Sequence, residues 1–198
     1  LTPIVVGGSK EQKEKFLRPF TESPKLASFC LTEPANGSDA AGIKTHINDS
    51  GAHWLLIDEK MWITNAGYAD LLVVYCTVDP ELKHKGISAV VVPSNLEGIT
   101  IGKKEEKMGQ RCSDTRGITF NNVKVPKENL LGNPGDGWQI AMKTLDHSRP
   151  LVSSIALGGA QRALELSVSY AKERKQFGVT LDRHQAIQFM IAEMSMKV

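Results

Sequence analysis

What this sequence lacks narrows its function first. It holds only three cysteines, Cys30, Cys76 and Cys112, far apart and with no Cys-x-x-Cys pair. That excludes a disulfide framework and fits free thiols in a reducing compartment. Five histidines are scattered without ligand spacing, so no metal site is expected. No apolar run reaches the 18 or so residues of a membrane-spanning helix, and no signal-peptide pattern is present. An excess of either charge is missing too: 24 Lys and Arg against 22 Asp and Glu leave a net +2, with the signs interspersed. This argues against nucleic acid or an anionic membrane as the main partner. The densest charge run, Lys103-Lys104-Glu105-Glu106-Lys107, reads as a solvated turn. The chain starts at Leu1 without methionine and stops at Val198 inside a helical pattern, so a piece of a longer polypeptide is expected.

What is present changes texture twice. Ser9 with Gln12 three positions on forms a capping-box pattern, and Phe16, Leu17 and Phe20 follow as an apolar stripe, predicting a helix over 9–20 closed by Pro24. From Leu26 to Leu131, short β-rich runs alternate with turn residues. Strands are predicted at 27–31, 43–48, 54–63, 71–77, 88–92, 99–103, 117–120 and 123–126, a closed or sandwiched all-β domain. After Gly137 the pattern is helical: 138–148 with Asp136 as cap, a restart or kink at Pro150, and a second segment carrying Leu157, Ala160, Leu164, Val168 and Ala171. A third helix, 183–198, presents Ile187, Met190, Ile191, Met194 and Val198. Helices apolar on several faces read as part of a bundle whose other members lie elsewhere. The expected class is α+β, divided as 1–25, 26–132 and 133–198.

Two segments carry chemistry. Leu31-Thr32-Glu33-Pro34-Ala35-Asn36-Gly37-Ser38-Asp39 ends an apolar run in a turn with two hydroxyls and a glycine. Met61-Trp62-Ile63-Thr64-Asn65 puts an indole and a hydroxyl two apart in a strand, where alternate side chains share a face. A flat heteroaromatic ligand needs an aromatic wall, a hydroxyl near a ring heteroatom and a glycine turn that can come close. Taken singly each segment is weak, since an indole in a strand is usually core.

Together, and in this order, they resemble the flavin-binding middle domain of the acyl-CoA dehydrogenase family. In that family, residues matching Thr32-Glu33-Pro34 and Gly37-Ser38-Asp39 wrap the isoalloxazine ring, and those matching Trp62-Ile63-Thr64 cover one side of it. One departure is Ala35-Asn36-Gly37, where Gly-Ala-Gly is frequent. The resemblance continues through Met108-Gly109-Gln110-Arg111-Cys112-Ser113-Asp114-Thr115, Ile118, Phe120, Val123, Val125-Pro126, Asn129, Leu131-Gly132 and Gly137, in wording nearest the medium-chain type. Glu173-Arg174-Lys175-Gln176-Phe177-Gly178 and His184-Gln185 match the start of the family's C-terminal bundle, and residues 1–25 the last helix of its N-terminal domain.

The resemblance implies FAD as cofactor, with Phe29, Leu31, Thr32, Gly37, Ser38, Trp62, Ile63, Thr64, Arg174, Gln176, Phe177, His184 and Gln185 around it. Arg174, a fixed cation with five donors, suits a pyrophosphate, and its family counterpart reaches the flavin of a neighbouring subunit. Without the resemblance it would read as a solvent-facing helix end. Ser38 lies where flavin and thioester meet, and Asp146 and Arg149 match the segment beside CoA. The reaction implied is α,β-dehydrogenation of a fatty acyl-CoA to the trans-2-enoyl-CoA, with electrons passing to electron-transfer flavoprotein in a homo-oligomer, tetramer or dimer. The compartment implied is the mitochondrial matrix if the source is eukaryotic and the cytoplasm if bacterial.

The α-proton calls for a carboxylate base. Some members place a Glu directly before the residue matching Arg149, but Ser148 stands there. The base is therefore expected as a Glu beyond Val198, and this chain alone is expected to be inert. Asp146-His147-Ser148 is no hydrolase triad, because three consecutive residues cannot aim at one another as nucleophile, base and orienter must. Two alternatives stand beside this reading: an acyl-CoA oxidase-like flavoenzyme, and a non-catalytic binding or assembly module.

Overall fold

The computed structural model describes residues 1–198, which divide into two units, 1–144 and 145–198. The first opens with helices α1 (Thr2–Gly7), α2 (Lys10–Leu17) and α3 (Pro19–Glu22). The capping box forms as predicted: Gln12 N donates to Ser9 Oγ at 3.2 Å and Ser9 N donates to Gln12 Oε1 at 2.9 Å. The expected single helix over 9–20 is broken at Arg18, because Pro19 has no N–H to continue the ladder and starts a new turn instead. Helix α1 was not among the predicted elements.

Eight strands follow in one sheet: β1 (Ala27–Cys30), β2 (His46–Asp49), β3 (His53–Thr64), β4 (Leu71–Thr77), β5 (Ile87–Pro93), β6 (Ile99–Ile101), β7 (Thr115–Pro126) and β8 (Leu130–Leu131). Their order is β6-β7-β3-β2-β4-β5-β8, with β1 parallel to β4. The α+β architecture is therefore the one the sequence predicts. Strand β2 starts later than position 43, since Lys44 and Thr45 give their N–H groups to Glu33 rather than to a strand. Strand β7 is continuous where two strands were predicted. Its Asn121-Asn122 pair is a bulge, with Asn122 at φ 49° and two residues facing one between Leu56 and Asp58 of β3.

All seven residues of β4 are buried, which follows from its unbroken apolar run. Leu72, Val74 and Cys76 pack with Leu56, Ile63, Ile118, Phe120, Val123 and Val90, so β3 and β7 face β4 and β5 across one core. Leu71, Val73 and Tyr75 point the other way, against Ile4 and Phe16 of the N-terminal helices and Ile140 and Ala141. Burial of each such side chain contributes about 1.5–3 kcal/mol.

Helix α4 (Gly137–Glu173) runs through Pro150 as one element, in place of the two segments predicted; it lies in the first unit up to Thr144 and in the second from Leu145. The hairpin β9 (Lys175–Gln176) and β10 (Val179–Thr180) and helix α5 (Gln185–Lys197) complete the second unit. No helix is long and apolar enough to cross a membrane.

Candidate functional site

Trp62 emerges from β3 at a bulge. Lys60 pairs with Ile118 and Ile63 with Arg116, so Met61 and Trp62 together face one residue, Gly117. The extra residue puts Trp62 in the left-handed region, φ 61°, where a bulky side chain is uncommon. Ile63 is buried between two outward neighbours, and Trp62 (56 % exposed) and Thr64 both reach solvent. Neither lies in the filled core that a purely structural indole would occupy. The buried Ser28 hydroxyl holds the Thr64 carbonyl at 2.7 Å.

The 31–39 segment lies beside this bulge although it belongs to no strand. Met61 N donates to Thr32 O at 2.9 Å, and Glu33 and Asn36 exchange backbone bonds at 3.0 and 3.2 Å, closing the turn. Beneath it sits an ion pair that sequence reasoning missed. Lys60 Nζ donates to Glu33 Oε1 at 2.8 Å and to Leu31 O at 2.9 Å, with both charged side chains shut off from solvent. Glu33 also accepts from Lys44 N at 2.7 Å and Thr45 N at 3.0 Å. Burial pushes the Glu33 carboxyl up, but the Lys60 charge and these hydrogen bonds outweigh it and hold it below the usual glutamate range. Burial lowers the Lys60 ammonium, with Glu33 opposing. Cys30 and Cys76 are buried thiols pushed up to about 12, hence inert, and Cys112 is exposed.

The motif at 108–115 serves the same edge from the other side. Asp114 O accepts from Asn65 N at 3.0 Å, and its carboxylate takes Gly67 N at 2.8 Å and Arg116 Nε at 2.9 Å. A Cβ on Gly67 would lie 2.4 Å from the Arg116 guanidinium, so any larger residue there would have to displace that side chain from Asp114. Asp114 thus braces the chain just after Thr64.

Of the other predicted residues in the first unit, Phe29 packs its ring 5.0 Å from Tyr75, and Leu31 joins the same cluster. These two shape the wall without facing solvent fully. Gly37 and Ser38 are exposed, and nothing lies within 4 Å of where a Gly37 Cβ would be. In the second unit, Gln176 O lies 3.3 Å from His184 Nε2, and the Phe177 ring stands edge-on to His184 at 6.2 Å. Phe177 (φ 53°) and Gly178 (φ 80°) form the left-handed pair of a two-residue hairpin turn, with the Phe177 ring 88 % exposed. Arg174 and Gln185 are exposed. Asp146 and Arg149, one turn apart on α4, pair with each other at 2.6 Å on an open face. Ser148 Oγ donates to Leu145 O at 3.0 Å, so the helix fixes that hydroxyl away from any neighbouring triad.

These residues suit a flavin. An exposed indole beside exposed hydroxyls supplies a wall and polar contacts, and the adjoining turn is open at Gly37. The buried Asn36 Nδ2 in that turn has no hydrogen-bond partner, an unsatisfied donor of the kind a bound acceptor relieves.

Comparison with known proteins places the chain in a family. Residues 28–123 match the profile of the acyl-CoA dehydrogenase middle domain and residues 135–198 that of its C-terminal domain. The short-chain specific acyl-CoA dehydrogenase, mitochondrial, of Sus scrofa is 48 % identical over 99 % of this chain and 48 % of its own length. The butyryl-CoA dehydrogenase structure from Megasphaera elsdenii superposes with a TM-score of 0.92 at 44 % identity, over 98 % of this chain and 51 % of that one. An acyl-CoA dehydrogenase from Bacillus anthracis, complexed with FAD, gives 0.88 at 41 % identity, over 99 % of this chain and 34 % of that one. The chain thus spans about half the length of the curated relative it matches. Two domains of one family, matched in order along most of the sequence, make this chain a member of the acyl-CoA dehydrogenase family.

Proposed function

We propose that the protein to which these residues belong is an FAD-dependent acyl-CoA dehydrogenase, converting a fatty acyl-CoA to the trans-2-enoyl-CoA. One observation carries this reading. Of the seven non-glycine residues at positive φ, two are aromatic, Trp62 and Phe177, and both are exposed. Both are residues that the family likeness assigns to the flavin. A strained backbone that presents an aromatic ring to solvent costs stability in two ways, and such strain clusters at ligand sites.

When bound, FAD supplies the acceptor for the substrate's β-hydrogen. Trp62 would cover one face of the ring and exclude water there, and Thr64 would supply a hydroxyl donor beside it. Thr32, Gly37 and Ser38 would line the turn at its edge. Arg174, with Gln176, Phe177, His184 and Gln185 alongside, places a fixed cation for the dinucleotide of a second copy. Asp146 and Arg149 take the CoA end, exchanging their mutual pair for the ligand. Ser148, not a carboxylate, stands directly before Arg149, so the proposed base for the α-proton is a Glu outside residues 1–198. Electron-transfer flavoprotein is the proposed acceptor and a homo-oligomer the working form, in the mitochondrial matrix or a bacterial cytoplasm. The division 1–25, 26–132 and 133–198 is likewise a proposal, supported by the two domain matches. The wording at Gly109–Thr115 fixes no acyl length, since a short-chain relative matches along nearly the whole chain.

The test is anaerobic titration of the full-length protein with butyryl-CoA and octanoyl-CoA. It should purify yellow, and its visible flavin absorbance should bleach with formation of the enoyl product. Residues 1–198 alone, given FAD, should leave the flavin oxidised. A colourless full-length protein that gains no FAD would end the flavin reading, and bleaching by the short chain would end the placement of the base.

A further inference from the structure

The Lys60–Glu33 pair is buried more completely than any other ion pair of the chain. Its place explains more than its presence. A buried ion pair is weak evidence for stability, since well-packed apolar residues of similar volume commonly replace one at no loss. What such a pair can fix is register. Lys60 gives one proton to the carbonyl of Leu31 and another to the carboxylate of Glu33, the two neighbours of Thr32. Thr32 itself accepts from Met61 N. Three consecutive residues of a segment that lies in no strand are therefore tied to two consecutive residues of β3, immediately before the left-handed Trp62. Glu33 completes the tie by taking the N–H groups of Lys44 and Thr45, the far end of the same loop. The turn bearing Gly37 and Ser38 hangs between these two anchor points.

We propose that Glu33 and Lys60 are positioning residues for the flavin site: their buried pair sets the spacing between the Thr32–Ser38 turn and the Trp62–Thr64 edge. This rests on the flavin reading given above. Neither side chain touches the ring. Each acts through the backbone it holds, Lys60 through the Leu31 carbonyl, Glu33 through the N–H groups of Lys44 and Thr45. A pair needed only for the core could be exchanged for apolar residues without consequence at the site. A pair that sets register could not.

The test uses the full-length protein and FAD, with the double variant Glu33→Leu/Lys60→Met as the main probe. Both charges leave together, so no lone charge stays buried; the Lys44 and Thr45 N–H groups and the Leu31 carbonyl lose their partners, so its thermal midpoint should fall by a few degrees with a cooperative transition retained. Its FAD affinity should fall by about tenfold or more, and the absorption fine structure of bound flavin should flatten as the turn loosens from Trp62. A double variant that binds FAD with wild-type affinity and spectrum would overturn the proposal. Should that variant not fold, Glu33→Asp decides. It keeps the charges but shortens the anchor by one methylene, and should bind FAD several-fold more weakly with an altered spectrum at unchanged secondary structure. Lys60→Arg, which keeps the cation, should retain FAD better than Lys60→Met; equal losses, or wild-type binding by Glu33→Asp, would count against positioning. Wild-type protein that takes up no FAD would instead remove the flavin reading itself, and this inference with it.

Discussion

At the scale of single residues, the site stores cost in two aromatic side chains. Trp62 and Phe177 hold left-handed backbone conformations that disfavour a Cβ by about 1–2 kcal/mol per residue. Phe177 occupies a hairpin turn position that asparagine suits best. Phe177→Asn should therefore leave stability unchanged or raise it by up to about 1 kcal/mol, because the ring it removes is nearly all in solvent. FAD retention by the full-length protein should drop in the same variant. Urea unfolding and flavin content after gel filtration measure the two effects, and a loss of stability without loss of FAD would show the ring to be structural. That Trp62 and Thr64 share a face was legible from strand alternation; that this face is open to solvent was not. The bulge that strains Trp62 was not either, because an extra residue in a strand depends on a partner strand more than 50 positions away. Nor was the burial of Lys60, whose partner Glu33 lies 27 residues earlier. A lysine in a strand reads as solvent-facing until its counter-charge is known.

At the scale of elements, the clearest signals were those a single segment can satisfy by itself. The Ser9–Gln12 capping box and the fully apolar β4 form as their residues dictate. One local signal was overruled by a distant neighbour. Asn121-Asn122 reads as a turn, yet β3 pairs with β7 on both sides of it, keeps the strand continuous and makes the pair a bulge. Pro150 reads as a restart or a kink, and of these the restart does not occur, since α4 continues through it. At the start of α4 the Asp136 carbonyl accepts from Ile140 N at 3.1 Å, and the next residue, Gly137, comes into close approach with the sheet. A Cβ on Gly137 would lie 2.4–2.7 Å from the backbone of Ser88, so the helix touches β5 with nothing between. Backbone cannot yield as a flexible side chain does. Gly137→Ala should cost about 1–3 kcal/mol, read as a lower urea midpoint, despite alanine's better helix propensity. A neutral or stabilising result would mean that α4 can lift from the sheet without cost.

At the scale of the whole molecule, the two units differ in how they bury apolar surface. Both hydrophobic clusters lie wholly within residues 1–144, and together they use both faces of β4 and β5. In residues 145–198 only Ala171 is buried, while Leu151, Val152, Ile155, Leu157, Leu166, Tyr170, Phe189, Met190 and Met196 are all exposed. The several apolar faces noticed in the sequence are real, and their partner is what one chain's sequence could not name. An uncovered apolar surface of this extent exceeds the scattered patches of an ordinary monomer. The 198-residue chain should therefore self-associate at micromolar concentration and bind a hydrophobic dye, whereas residues 1–144 should fold cooperatively and stay monomeric. Placing charge on the exposed face, as in Leu166→Glu with Phe189→Glu, should reduce association measured by light scattering and leave the main thermal transition in place. That separation follows from where the cores lie. Should residues 1–144 fail to fold, or the 198-residue chain run as a dye-free monomer, the assignment of stability to the first unit and of association to the second would both be wrong.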